Sequence, residues 1–210
     1  MNRRDFVSYA LSGLGLAAVP SMLRAASGTT ALLAMPGLAT NAALGPLLER
    51  ARAALDAHPE RLMLRDRVAL ADFSAASHQY RLHIVDLVTG QTLSYLVAHG
   101  RGSDPLFSGY LQSFSNEPGS QATSEGAYLT GEIYDGTHGV SMRLVGLDPT
   151  NNNADSRAIV VHAAPYVSED HIAIWGKTGR SEGCFVVAPH LITQFLGLLG
   201  PGRLLYAAKV

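Results

Sequence analysis

The chain has 210 residues, enough for one catalytic-sized domain plus a leader, and 47% of them are apolar, enough to bury a sizeable core. Charged residues make up only 16%, against roughly 25% in an average globular protein. With a formal net charge of −1 and no basic run beyond the N-terminus, nothing favours nucleic acid as a partner.

In chain order, residues 1–26 read as an export signal. Arg3-Arg4-Asp5-Phe6-Val7 is a twin-arginine pattern, an Ala/Gly/Leu-rich stretch follows, and Leu23-Arg24-Ala25-Ala26 closes it with small residues. A membrane span needs about 20 predominantly apolar residues; Ser8, Ser12, Gly13, Gly15 and Pro20 weaken that reading. An uncleaved N-terminal anchor is the alternative, and the only route to a membrane. The expected location is the periplasm or cell envelope.

Residues 27–67 are expected to form a linker and an N-terminal helical segment. Gly45-Pro46 opens a helix with Leu47, Leu48, Ala51, Ala54 and Leu55 at helical spacing, and His58-Pro59 ends it. The stretch 61–70 is either a second helix or an extended lead-in. From 68 to 210 the period is that of a β-rich catalytic domain. Strand patterns at 81–87 and 92–99 flank a turn at 88–91, giving a hairpin. Further strands are expected at 126–134, 141–147, 158–162 and 203–207, with a short helix at 191–199. Short strands between Gly, Asp-Pro and Asn runs predict a mainly β fold, largely antiparallel, with a few short helices.

Cys184 is the single cysteine, so it has no disulfide partner within the chain. Two readings stand: a buried small apolar residue, or a thiolate nucleophile with a histidine base. The second needs a base, a group orienting it, and N–H donors for an oxyanion. His162, at the end of the apolar run Val160-Val161, is the candidate base, with the Ala163 carbonyl to hold its Nδ1–H. Gly183 lets the backbone approach a substrate carbonyl, so the Gly183 and Cys184 N–H groups are the candidate oxyanion donors. Arg180 and Ser181 add donors beside the thiol, and a thiolate–imidazolium pair lowers the thiol pKa.

Ser181-Glu182-Gly183-Cys184, downstream of a strand-end histidine, resembles the signature of the YkuD-type L,D-transpeptidases, specifically the murein L,D-transpeptidase catalytic-domain branch. The resemblance extends over Val97-Ala98-His99-Gly100-Arg101-Gly102-Ser103, Thr123-Ser124-Glu125-Gly126-Ala127-Tyr128, His138-Gly139-Val140-Ser141-Met142-Arg143-Leu144 and His162-Ala163-Ala164-Pro165-Tyr166, roughly residues 70 to 190. It implies a sandwich-like or mixed-sheet β domain in the bacterial envelope. It also implies attack by the cysteine on an L,D-peptide bond of a peptidoglycan stem peptide, through a thioester passed to an amine, with no metal or organic cofactor. By position Cys184 is the nucleophile and His162 the base, and Gly183 and Ser181 shape the oxyanion region. The chain departs from the wider family at Glu182, where His is frequent, and at Val186, where a polar residue is frequent. A carboxylate near the sulfur raises the thiol pKa unless Arg180 offsets it, so Glu182 is expected to point away.

Other residues leave alternatives open. His138, in Gly136-Thr137-His138-Gly139, either lines the cleft and contacts substrate or is a turn histidine. Tyr166 offers a hydroxyl to substrate; Tyr128 fits core or rim packing. His99, at a strand end before Gly100 and Gly102, either reaches the site or is a structural histidine, and His171 and His190 read as surface residues. His138, His162 and Cys184 lack the close spacing of a zinc site. Trp175 is expected beneath the loop 165–180, itself a candidate mobile wall, and the Asn-rich stretch 148–155 reads as a polar turn without chemistry. A hydrolytic L,D-carboxypeptidase or endopeptidase, with water as acceptor, shares the acyl-enzyme step, and an inactive envelope-binding module keeps the fold alone.

Overall fold

A computed structural model of the chain describes residues 44–210. The export signal assigned to 1–26, and the linker up to residue 43, lie outside the described residues. The order is α1 (Gly45–Ala57), β1 (Arg67–Asp72), β2 (Leu82–Asp86), β3 (Thr92–Tyr95), a 3-10 turn (Arg101–Ser103), β4 (Gly126–Gly136), β5 (Gly139–Gly146), β6 (Val160–Ala163), α2 (Glu169–Trp175), β7 (Phe185–Val187), α3 (Ile192–Leu199) and β8 (Leu204–Ala208). The chain is mostly β, and the strands form one eight-stranded sheet in the order β3-β2-β1-β8-β4-β5-β6-β7.

The sheet is mixed rather than antiparallel throughout, because β1 pairs with β8 and β6 with β7 in parallel. Parallel partners cannot be joined by a hairpin. The connection from β6 to β7 carries α2, and β8 reaches β1 from the far end of the chain. Strand alternation sorts the two faces around β1. Val68 and Leu70 pack with Leu47, Ala51 and Leu55 of α1, while Ala69 and Ala71 join the cluster containing Phe195, Leu196 and Leu199 of α3. Pro46 at the first turn and the absence of a side-chain N-cap leave α1 dependent on this apolar face.

The expected helix at Gly45 and the strands at 81–87, 92–99, 126–134, 141–147, 158–162 and 203–207 each have a counterpart, shorter, longer or shifted by a few residues. Three stretches show what the local pattern left open or did not reveal. The stretch 61–70 contains no second helix; β1 begins at Arg67, where Val-Ala-Leu-Ala is buried on both faces and shows no alternation. β7 has only three residues. The stretch 165–180 is not a plain loop: Ser168 caps α2 by accepting from the His171 N–H at 3.1 Å, and Gly176 ends it in the left-handed conformation. Trp175 lies at the end of α2 and is 59% exposed, so it does not pack beneath the loop. Among the described residues no helix is long and apolar enough to cross a membrane.

Candidate active site

The site stands where β6 and β7 run side by side. His162 is paired with Val186, and Cys184 lies two residues before Val186. Alternation therefore sends the His162 and Cys184 side chains to the same face. Phe185 and Val187 point the other way, into the main core, while Val186 and Cys184 pack with Leu96, Ala98, Val167 and Tyr166. Both His162 and Cys184 line a cleft of about 640 Å³, which also takes in His138, Tyr166, Arg180 and Arg157.

His162 is buried, and its Nδ1 lies 3.0 Å from the Ala163 carbonyl. A carbonyl only accepts, so Nδ1 carries the proton and Nε2 is the basic nitrogen. His138 sits in the exposed turn between β4 and β5 and stacks on His162, with ring centroids 4.4 Å apart and 21° between planes. It therefore reaches the cleft, where it backs the base. Burial pushes the His162 pKa below its ordinary value, the Ala163 contact opposes this, and a charge on His138 would add to the lowering. The balance favours the neutral imidazole, the form that can act as a base.

The turn bearing the thiol is closed by Ser181. Its Oγ donates to the Cys184 carbonyl at 2.7 Å and accepts from the Gly183 N–H at 3.1 Å. This corrects the expected oxyanion pair, because the Gly183 N–H is already occupied. Gly183 has φ +119°, and a Cβ there would lie 2.6 Å from Ile159 Cδ1 and 2.7 Å from the Ala122 carbonyl, so both its conformation and its surroundings demand glycine. The motif is stitched to the strand before it: the Ser181 N–H donates to the His99 carbonyl at 2.9 Å and Arg101 N–H to the Ser181 carbonyl at 2.7 Å.

The thiol itself is not lowered. Burial pushes the Cys184 pKa up, and the Val160 N–H and Arg157 partly offset it, while Glu182 adds to the rise. The sulfur also lies 3.6 Å from the Ala158 carbonyl, an acceptor that favours the protonated form. Ala158 has φ +54°, a left-handed conformation that is strained for a residue with a Cβ. Burial thus biases both members of the expected thiolate–imidazolium pair toward their neutral forms.

Glu182 turns outward and donates nothing to the thiol; its carboxylate accepts from Arg101 Nη2 at 2.7 Å, and its side chain is 69% exposed. Arg180 lines the cleft but does not offset Glu182. Its Nη1 donates to the Asp104 carbonyl, and its guanidinium lies 4.3 Å from the Phe107 ring centre. The cation beside the thiol is Arg157, a residue that follows the Asn-rich turn read as free of chemistry. Tyr166 lines the cleft with its phenol pushed up to about 12 by burial, and the ring lies where a Cβ on Gly179 would meet it at 2.7 Å.

His99 does not reach the cleft. It is buried against Arg81, whose Nη2 donates to His99 Nδ1 at 2.7 Å. Tyr128 is a core residue whose hydroxyl donates to the Ser124 carbonyl at 2.8 Å. His190 is exposed. Among the described residues no group of three or more His, Cys, Asp or Glu is placed to hold a metal ion.

Comparison with protein families matches residues 44–208 to the L,D-transpeptidase catalytic domain. No curated protein matches the chain. Solved structures similar to it include an L,D-transpeptidase from Mycobacterium smegmatis, at 10% identity and a TM-score of 0.41, covering 69% of this chain and 59% of that one. L,D-transpeptidase 1 from Mycobacterium tuberculosis is 12% identical with a TM-score of 0.38, covering 67% and 60%. The helical cell shape determining protein Pgp2 from Campylobacter jejuni is 12% identical with a TM-score of 0.44, covering 68% and 47%. The chain thus spans about three fifths of the length of the mycobacterial structures.

Proposed function

This chain belongs to the L,D-transpeptidase catalytic-domain family, and from that premise we propose that it is a cysteine acyltransferase acting on peptidoglycan stem peptides. The observation that carries the reading is the placement of His162 and Cys184 on one face of the β6–β7 pair, lining one cleft, with Nδ1 pinned by the Ala163 carbonyl.

In the proposed reaction the donor carbonyl enters the cleft beside Cys184. His162 Nε2 takes the thiol proton as the sulfur attacks the carbonyl carbon of the L,D-peptide bond. The bias toward neutral partners suits this step, because no buried ion pair has to be held before the donor arrives. The developing oxyanion is assigned to the Cys184 N–H, since Gly183's is bound to Ser181. The C–N bond then breaks, the imidazolium protonates the departing amine, and a D-amino acid leaves. The amine of a second stem peptide attacks the thioester carbonyl, its proton passes to His162, and the C–S bond breaks to return the thiol. Ser181 and Gly183 shape the turn, and Arg180, His138, Tyr166 and Ala163 form the walls that position the donor. We further place the protein in the periplasm or envelope, on the twin-arginine pattern at Arg3-Arg4; fractionation of the cells would test this.

The test of the reaction is intact mass after incubation with purified tetrapeptide stems, comparing wild type with Cys184→Ala. A gain equal to the stem less one D-amino acid, absent in the variant, supports the thioester route. Well-folded protein with neither adduct nor turnover overturns it. Added amine acceptor then separates transfer from hydrolysis by the product formed.

A further inference from the structure

Arg157 is a half-buried cation with an unusual set of partners. Its Nη1 donates to the Ser115 carbonyl at 2.8 Å and to Ser124 Oγ at 2.8 Å, and its Nη2 to Ser120 Oγ at 3.1 Å and to the Ala122 carbonyl. All four acceptors are neutral, and none of the ion pairs among the described residues includes Arg157. Four hydrogen bonds therefore fix the fork in place without cancelling its charge. The fork stands directly behind the turn that bears the thiol, because a Cβ on Gly183 would lie 3.3 Å from Arg157 Nη2. The neighbouring residue Ala158 places its carbonyl at the sulfur. Arg157 is thereby joined to the site through its own backbone and through Gly183.

We propose that Arg157 is the counter-cation of the Cys184 thiolate, a fixed positive charge in the cleft wall that stabilises the sulfur anion when it forms and when the thioester collapses. The same fork fastens residues 115–124 to the cleft, so one side chain sets both the electrostatics and the wall. The inference rests on the reading of Cys184 as the nucleophile.

The other charged or titratable groups around the sulfur do not supply this charge. Glu182 opposes a thiolate, and Arg101 is paired with Glu182. Arg180 is held by the Asp104 carbonyl and Phe107. His162 is pushed toward its neutral form by burial, and the Tyr166 phenol is pushed up to about 12. His138 is stacked on the His162 ring. Glu117 lies in the field of Arg157 and favours its charged form.

The test is the rate of Cys184 alkylation by iodoacetamide against pH in wild type, Arg157→Gln and Arg157→Lys, with thermal unfolding recorded for each. Loss of an adjacent opposite charge shifts a titration by about one unit or more. For Arg157→Gln the midpoint is expected to rise by about one unit, and the rate at pH 8 to fall about tenfold. Arg157→Lys keeps the charge and loses the fork, so it is expected to recover most of the rate even where its melting temperature falls. An Arg157→Gln profile that superimposes on wild type overturns the inference, as does a Lys variant displaced as far as the Gln variant, which would mark a structural role only. If the Gln variant does not fold, the Lys variant decides against wild type: a midpoint close to wild type supports the charge, and a rise of about one unit overturns it. The readout needs no stem peptide. A moved midpoint without adduct formation leaves this inference and removes the acyl-transfer reading; an adduct with an unmoved midpoint does the reverse.

Discussion

Two buried histidines on different segments flank the turn that bears Cys184, and only one of them faces the cleft. His162 gives its Nδ1 proton to the Ala163 carbonyl and keeps Nε2 for the cleft. His99 has its Nδ1 lone pair taken by Arg81, and its Nε2 faces Asp104 Oδ2 at 3.6 Å. Both are held neutral by burial, His99 down to about 3, where the Arg81 charge adds to the effect. Burial and a lowered pKa therefore do not distinguish a base from a structural histidine; a ring nitrogen that keeps its lone pair in the cleft does, since His99 has spent its Nδ1 lone pair on Arg81. The Arg81 guanidinium is itself buried, donating to the Val97 and Ala75 carbonyls and lying 4.9 Å from the Phe73 ring centre. Asp104 in turn accepts from the Ser108 and Gly109 N–H groups. This chain of contacts fixes the backbone whose His99 carbonyl receives the Ser181 N–H. One histidine opens on the cleft and the other holds up the turn beneath it.

The contrast is sharpest in activity. His162→Gln is expected to lower the acylation rate by about two to four orders of magnitude, the usual worth of a general base, with little change in unfolding midpoint. Single-turnover mass spectrometry with stem peptide measures the first and urea unfolding the second. A variant that acylates at the wild-type rate would remove His162 from the mechanism.

The next effect is on stability and falls on the other histidine's partner. Arg81→Met removes the buried cation and leaves the Ala75 and Val97 carbonyls unpaired. A loss of about 3–5 kcal/mol is expected, read as a lower urea midpoint. An unchanged midpoint would show that the Arg81–His99–Asp104 chain does not support the fold.

Acid should expose what the buried histidines have in common. His83, whose Nδ1 lies 2.8 Å from Ser94 Oγ, is lowered by burial from 6.5 to about 4, and His99 to about 3. A base with a depressed folded pKa binds more protons unfolded, so stability is full above pH 6.5. It falls as the pH drops from 6.5 toward 4 for His83 and toward 3 for His99. For His83 this amounts to about 3 kcal/mol at one pKa unit per 1.36 kcal/mol. Urea midpoints measured from pH 7 to 4 should decline, and His83→Gln should flatten the slope; a pH-independent midpoint would contradict the assignment.

The smallest effect belongs to Glu182. Its carboxylate is exposed and paired with Arg101, so Glu182→Gln should raise thiol alkylation at pH 8 by only about twofold, in keeping with the low worth of surface pairs. A tenfold rise would mean that the carboxylate bears directly on the sulfur.

The family, the β-rich fold, the N-terminal helix and the Ser181–Cys184 motif are legible in the sequence, because each rests on local pattern. Helical spacing, strand alternation and turn glycines are properties of neighbouring residues. The end of β6 could also be read, since an imidazole following Val160-Val161 has the next residue's carbonyl within reach. α2 carried its signals in Ser168 and Gly176, but seven residues with none buried give no apolar period to reveal it. The parallel pairing of β1 with β8 joins Val68 to Leu204, a relation no local pattern encodes.

The same limit applies at the site. Arg81 in a strand pattern reads as a solvent-facing charge, and only the packing of Phe73, Val97 and His99 around it makes it a core residue. Arg157 stands 27 positions before Cys184 after a polar turn, and its relation to the thiol arises where residues 115–124 fix its guanidinium behind Gly183. The sequence by itself determined which residues have the chemistry to attack a carbonyl and accept a proton, because that is a property of side-chain type. The tertiary structure alone decided which nitrogen is left basic, which cation faces the sulfur and which N–H is already taken, because each depends on partners brought together across long stretches of chain.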